Sequence, residues 1–98
     1  MKVPLLVATD QPPPPLPKWS RWIRFEQLAP DKNRFREYGI TLDQNLLGEW
    51  VVSCSWGRIG GPKRLKEWYF SSQSEAMVMA EQMAYRRLVR GYRVSAFE

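Results

Sequence analysis

Histidine is absent from this 98-residue sequence, and cysteine occurs once, at Cys54. The lack of histidine removes the commonest general base and the commonest metal ligand. A single cysteine excludes an internal disulfide and a cysteine-based zinc site. Cys54 lies in a run of alternating apolar residues, so we interpret it as a small core residue rather than a nucleophile.

The sequence also lacks paired acidic residues at catalytic spacing and a glycine-rich nucleotide-binding loop. Together with the missing histidine, these absences argue against an enzyme. We therefore predict a non-enzymatic protein that needs no cofactor and no metal ion.

Long apolar runs are missing as well, since no stretch approaches the roughly 20 residues of a transmembrane helix. An apolar patch from Val3 to Ala8 is interrupted by Pro4 and is not followed by a small-residue cleavage site. These features do not fit a signal peptide. We expect no contact with a membrane and a cytoplasmic location.

Positive charge is in excess: 15 lysines and arginines stand against 10 acidic residues, which gives a net charge of +5 and a sequence pI near 9.7. This balance favours a polyanionic partner, namely nucleic acid, an anionic surface or an acidic protein. The alternative is that the charge serves only solubility.

The first 18 residues differ in composition from the rest. The run from Gln11 to Pro17 reads Gln-Pro-Pro-Pro-Pro-Leu-Pro, which favours an extended polyproline II backbone. We predict a flexible leader over residues 1–18 and one domain over residues 19–98, with Met1 to Pro17 dispensable for folding. The alternative is that the leader is a ligand for an aromatic-groove module.

The hydrophobic pattern changes period once along the chain. Period-two alternation predicts strands over residues 22–28, 34–44, 49–55 and 65–70, and a further short strand over 92–97. Ser72 and Glu75 fit a capping box, which predicts a helix over residues 73–90. The expected class is α+β, an antiparallel meander with one long helix packed across one face.

Basic residues fall into three groups around turns and aromatic residues, which suits phosphate binding because arginine grips phosphate oxygens. The groups are Arg58, Lys63, Arg64 and Lys66; Arg86, Arg87, Arg90 and Arg93; and Lys18, Arg21, Arg24, Lys32, Arg34 and Arg36. The alternative is a solvated charged face, with the second group complementing the helix dipole.

The most informative segment runs from Ser55 to Pro62 and reads Ser-Trp-Gly-Arg-Ile-Gly-Gly-Pro. Glycines let a backbone approach a ligand closely, and the N–H groups of such a turn can hold an anion. The tryptophan offers a surface on which a base or sugar can stack.

This segment resembles the signature of the WGR domain family, because Trp56-Gly57-Arg58 is followed by Ile59-Gly60. Further parts of the chain resemble the family in the same order, over roughly residues 22–92. They are Asp31-Lys32-Asn33-Arg34-Phe35, Glu49-Trp50-Val51-Val52, Phe70 with Glu75-Ala76, and Gly91-Tyr92. As an ordered set they are more specific than the tripeptide alone.

WGR domains are compact sheet-plus-helix modules of poly(ADP-ribose) polymerases and of bacterial proteins, and they are regarded as nucleic-acid-binding. The resemblance implies that Trp56 packs against the sugar at a DNA strand terminus. It implies that Arg58 docks a neighbouring domain or holds a phosphate, and that Asn33 and Tyr92 contact the nucleic-acid backbone. No catalytic, helical regulatory or zinc-finger domain accompanies the module in this sequence, so the resemblance implies no ADP-ribosylation by this chain.

The predicted ligand is nucleic acid, DNA before RNA, bound at an end or break. The predicted binding residues are Asn33, Arg34, Trp56, Gly57, Arg58, Lys63, Arg64 and Tyr92. The alternative is a protein-docking module that bridges partner proteins through Arg58 and exposed aromatic residues. Salt separates the two hypotheses, because phosphate binding weakens steeply as salt rises and aromatic docking does not.

The position of Trp56 leaves two interpretations open. Alternation places it on the same face as Trp50 and Cys54, which are predicted to be core, as is Trp68. Either the strand ends before Trp56, or Trp56 is partly buried and contacts a ligand less directly.

Overall fold

The computed structural model describes residues 12–98. These residues form a five-stranded sheet and one long helix. The elements are β1 (Trp22–Ala29), a short 3-10 turn (Pro30–Lys32), β2 (Arg34–Gln44), β3 (Trp50–Arg58), β4 (Lys63–Phe70), α1 (Gln73–Val89) and β5 (Arg93–Phe97). The predicted α+β class, with one helix on an antiparallel sheet, is confirmed.

The strand order is β4-β3-β2-β1-β5, and each neighbouring pair is antiparallel. Strands β1 to β4 follow one another as hairpins across the sheet. Helix α1 then carries the chain from β4, at one edge, to β5 at the other edge. Because α1 makes this crossing, its apolar side lies against one face of the sheet and closes the core.

The core lies between α1 and that helix-bearing face. Alternate strand residues point towards α1, and Ile23 and Phe25 of β1 are completely buried there. Ala76, Ala80 and Ala84 of α1 are completely buried against the sheet at helical spacing. The other buried core residues are Trp19, Ile40, Leu42, Val52, Cys54, Met83, Leu88 and Tyr92. Cys54 is therefore a core residue, as predicted.

Both ends of α1 follow from local sequence. The Ser72 hydroxyl accepts a hydrogen bond from the Glu75 N–H at 3.2 Å. The Glu75 carboxylate accepts from the Ser72 hydroxyl instead of the Ser72 backbone, so only half of the predicted capping box forms. Gly91, with φ +89°, follows the helix, whose last residue is Val89 rather than the predicted Arg90. Over residues 12–98, α1 included, the structure contains no helix that is long and apolar enough to cross a membrane.

The start of β1 and the end of β5 meet at one corner of the fold. The carbonyl oxygen of Glu98 accepts hydrogen bonds from the N–H groups of Ser20 and Arg21, each at 2.9 Å. The Trp22 indole N–H donates to the Glu98 carboxylate at 2.8 Å. These contacts join the start of β1 to the end of β5, far along β1 from the 3-10 turn.

Leu16, in the proline-rich segment, packs against the core and is half-buried. We expect Leu16→Ala to lower the free energy of unfolding by about 1 kcal/mol, because part of an apolar side chain loses its burial. Thermal melts should show a decrease of roughly 4–8 °C, as expected for a domain of this size. Leu46→Ala is the control, since Leu46 is fully exposed. Equal melting temperatures for the two variants would show that Leu16 is dispensable, as the composition predicts.

Candidate nucleic-acid interface

Strand β3 continues through the whole Trp-Gly-Arg segment, beyond the predicted end at Ser55. Gly57 pairs with Lys63 of β4, and Arg58 pairs with Arg36 of β2. Pairing with β4 reaches Gly57 and pairing with β2 reaches Arg58, so the backbone stays extended to Arg58. The signature tripeptide is therefore part of the central sheet rather than of the following turn.

Alternation along this longer strand places Trp56 on the helix-bearing face with Cys54, at a position that α1 does not fully cover. Trp56 is half-buried, and its ring stacks on Tyr38 of β2 with centroids 6.2 Å apart and planes 23° apart. Of the two interpretations left open by the sequence, partial burial is correct. Trp50 and Trp68 are also half-buried and pack against the core.

A groove of about 890 Å³ opens beside Trp56, between the C-terminal end of α1 and the adjacent ends of β2, β3 and β4. Its lining residues are Lys32, Asn33, Arg34, Phe35, Arg36, Tyr38, Cys54, Trp56, Gly57, Arg58, Lys66, Trp68, Arg87, Arg90 and Tyr92. We name it the basic groove. Seven of these residues are lysine or arginine, and no acidic residue of the described chain lines it. Its electrostatic potential therefore favours an anion.

Aromatic rings form the floor of the basic groove and hold Arg87 over them. The Arg87 guanidinium carbon is 4.3 Å from the Tyr38 ring centroid and 5.3 Å from that of Tyr92. Cations are attracted to aromatic faces at such distances. Burial raises the pKa of Tyr38 well above its ordinary value, as does the neighbouring Cys54 thiol, so the phenol stays neutral.

The Arg87 Nε is itself buried, with no hydrogen-bond partner among residues 12–98. A buried N–H that lacks an acceptor is costly, and here the guanidinium is offset by its contacts with the faces of Tyr38 and Tyr92.

The 3-10 turn brings Asn33 and Arg34 to the rim of the basic groove. Pro30 begins this turn, and Asn33 ends it in the left-handed conformation, with φ 52° and ψ 41°. Asparagine tolerates this backbone better than most residues. Lys32 and Arg34, on either side of it, therefore border the groove together with Arg58.

Gly57 lines the groove, but the absence of its side chain has an explanation within the fold. A Cβ atom built on Gly57 would lie 2.5 Å from the carbonyl oxygen of Pro62 and 3.4 Å from the Cα of Lys63. The close approach that requires glycine is therefore to the β3–β4 turn of the same chain.

Lys63 and Arg64 are the two predicted binding residues that the structure does not bring into the groove. Lys63 lies on the opposite face of the sheet, where its Nζ is 3.3 Å from a Glu37 carboxylate oxygen. The same Nζ donates to the carbonyl oxygens of Arg58 and Gly61. Arg64 is exposed on β4, paired in register with Trp56, and does not line the groove.

The other six predicted residues lie together in the groove: Asn33, Arg34, Trp56, Gly57, Arg58 and Tyr92. The groove also contains nine residues outside the predicted set: Lys32, Phe35, Arg36, Tyr38, Cys54, Lys66, Trp68, Arg87 and Arg90. The alternation of side chains along β2 indicates two of these residues. Arg36 and Tyr38 share the parity of Arg34 and hence its face of the sheet. Nothing in the local sequence indicates that the end of α1 meets this part of the sheet.

A family model of the WGR domain matches residues 19–98, which contain the whole sheet and helix. The chain belongs to the WGR domain family. The WGR domain is a small binding module rather than a catalytic domain, and it is often nucleic-acid-binding.

This WGR domain is also similar to the protein y4dW of Sinorhizobium fredii (strain NBRC 101917 / NGR234), which is described as uncharacterized. The two sequences are 29% identical over 68 residues, which are 69% of this chain and 33% of that protein. The match therefore spans about a third of the relative's length. No solved structure matches this chain.

Proposed function

We propose that this WGR domain is a non-enzymatic nucleic-acid-binding module that binds DNA, at ends or breaks, through the basic groove. The observation that carries the proposal is the concentration of seven cationic side chains around a groove that no acidic residue of the described chain lines. Phosphate contacts of lysine and arginine supply most of the affinity in sequence-independent binding.

The aromatic residues of the groove support a nucleic-acid ligand over a simple anion. Trp56 is half-buried, so part of its ring is open to a sugar or base while the rest is held by Tyr38. Stacking of this kind is tolerant of sequence, because every base has a π-face. An end or break offers an unstacked terminal nucleotide to Trp56, and this is why we favour ends over the interior of a duplex.

Binding should be weak, independent of sequence and steeply dependent on salt. If about four phosphates are neutralised, the slope of log K against log salt should be near −3.6, from roughly −0.9 per phosphate. Fluorescence anisotropy of a short labelled duplex at several salt concentrations measures this slope. A slope near zero, or no binding at low salt, would exclude nucleic acid as the ligand.

A comparison of substrates that share one sequence shows which form of nucleic acid the domain binds best. Blunt duplex, nicked duplex and closed-circular DNA should bind in decreasing order of affinity per site, because the circle has no terminus. Single-stranded DNA is included to show whether one strand is enough for binding. The matching RNA shows the effect of the 2′-hydroxyl group. Equal affinity per site for linear and circular DNA would contradict recognition of ends.

A protein-docking role is the second candidate. It is favoured by exposed apolar side chains on the sheet face opposite α1, of which Leu65 and Tyr69 are examples. However, the Arg58 guanidinium, which the resemblance implies as a docking group, contacts Asn33 and Phe35 of its own chain. Binding of a partner protein that persists at high salt would favour docking over nucleic-acid binding.

A further inference from the structure

Arg58 makes three contacts with the segment around the 3-10 turn. Its Nη1 donates to the backbone carbonyl oxygen of Asn33 and its Nη2 donates to Asn33 Oδ1, each at 3.3 Å. The guanidinium carbon lies 5.1 Å from the centroid of the Phe35 ring. The planar fork of arginine reaches two oxygens at once, which the single ammonium of lysine does less well.

Asn33 is the residue whose backbone most needs support. Its φ of 52° is the only positive φ at a non-glycine residue within residues 12–98. A left-handed residue costs free energy and persists only where the surrounding contacts hold it. The Asn33 N–H bond to the Pro30 carbonyl oxygen, at 3.0 Å, closes the turn from one side, and Arg58 holds Asn33 from the other.

Arg58 itself is fixed by its position in the sheet. Its carbonyl oxygen accepts hydrogen bonds from the Gly61 N–H at 2.9 Å and from Lys63 Nζ at 2.8 Å. The next residue, Ile59, donates its N–H to the Phe35 carbonyl oxygen at 2.9 Å. The end of β3 is therefore a rigid support to which the 3-10 turn is attached.

We propose that Arg58 is a positioning residue that clamps Asn33 and so fixes Lys32 and Arg34, the cations on either side of it, at the rim of the basic groove. Arg58 then acts within the chain rather than as the phosphate contact or the docking group that the resemblance implies. The effect on binding rests on the proposed function, whereas the clamp itself does not.

The test uses Arg58→Lys, Asn33→Gly and the double variant. Arg58→Lys keeps the positive charge but loses the fork, and Asn33→Gly removes Oδ1 while tolerating a positive φ. Each single variant should weaken binding to a short duplex about fivefold, the scale of one lost hydrogen bond. The affinity of the double variant should also fall about fivefold, because both changes break the same clamp. Arg86→Lys is the control, because Arg86 is exposed on α1 and lies outside the groove.

Amide NMR spectra of the free protein test the clamp directly. Arg58→Lys and Asn33→Gly should each shift the amide signals of Lys32 and Arg34 in the same direction, while the indole signal of Trp68 stays in place. Loss of overall stability alone would not produce such a local and shared change.

Two outcomes would overturn the clamp. One is Arg58→Lys binding like the parent protein, since Arg58 would then act through its charge. The other is independent losses that multiply to about 25-fold in the double variant. If the parent protein binds no nucleic acid, the proposed function fails, and the clamp is judged by the NMR shifts and by thermal melts of the same variants. Additive decreases in melting temperature would then contradict it.

Discussion

Gly57→Ala is expected to reduce the stability of this domain more than any other change in the signature tripeptide. The new Cβ would lie 2.5 Å from the Pro62 carbonyl oxygen, a backbone atom in a paired hairpin that cannot move without disturbing β3 and β4. Overpacking of this kind costs about 3 kcal/mol at the upper end of its usual range. Thermal melts should therefore show a decrease of roughly 12–24 °C.

The matched control is Gly61→Ala in the same hairpin. A Cβ there meets the Arg58 carbonyl oxygen at 3.4 Å and the Arg58 Cβ at 3.5 Å, which is van der Waals contact without overlap. We expect this variant to melt within a few degrees of the parent protein. A Gly57→Ala variant that is fully stable but has lost DNA binding would show instead that the glycine admits a ligand.

Trp56→Ala should weaken binding to DNA ends by about 1–3 kcal/mol, the range measured for stacking on an aromatic side chain. This is a loss of roughly 5- to 150-fold in affinity for linear DNA. Affinity for closed-circular DNA should change little, because the circle offers no terminal nucleotide. Titrations with both DNAs, at one salt concentration and well below the melting temperature, measure the difference.

Trp56 also packs on Tyr38, so its removal will affect folding as well as binding. We expect about 2 kcal/mol of destabilisation, less than for a completely buried tryptophan. Trp56→Phe separates the two effects, since it keeps an aromatic face and most of the packing. If Trp56→Ala is as stable as the parent protein and binds linear and circular DNA as tightly as the parent does, Trp56 has no role in recognising ends.

The fold was predictable because its signals are local. Alternation in β1 and β2 and the switch to helical spacing after Ser72 depend only on residues close in sequence. The end of β3 was mispredicted, because extension to Arg58 depends on pairing with Arg36 and Lys63 in the neighbouring strands. Such pairing partners are not visible in a single strand.

The candidate site was only partly predictable, for a related reason. The run of basic residues after Trp56 looks continuous in sequence, but parity divides it between the two faces. Lys66 lines the groove, whereas Lys63 pairs with Glu37 on the other side. Arg87 lies over Tyr38 because α1 ends above this part of the sheet. No residue spacing in the sequence indicates where over the sheet α1 ends.

The hydrogen bonds that join Ser20 and Arg21 to Glu98 hold the end of β5 at a corner of the sheet away from the basic groove. Glu98 lies beside the start of β1, and the eight residues of β1 place it roughly 23 Å from the 3-10 turn at the groove rim, from about 3.3 Å per residue. A point of attachment remote from a binding surface leaves that surface free. A fluorescent protein or purification tag joined at Glu98 should therefore leave the basic groove accessible.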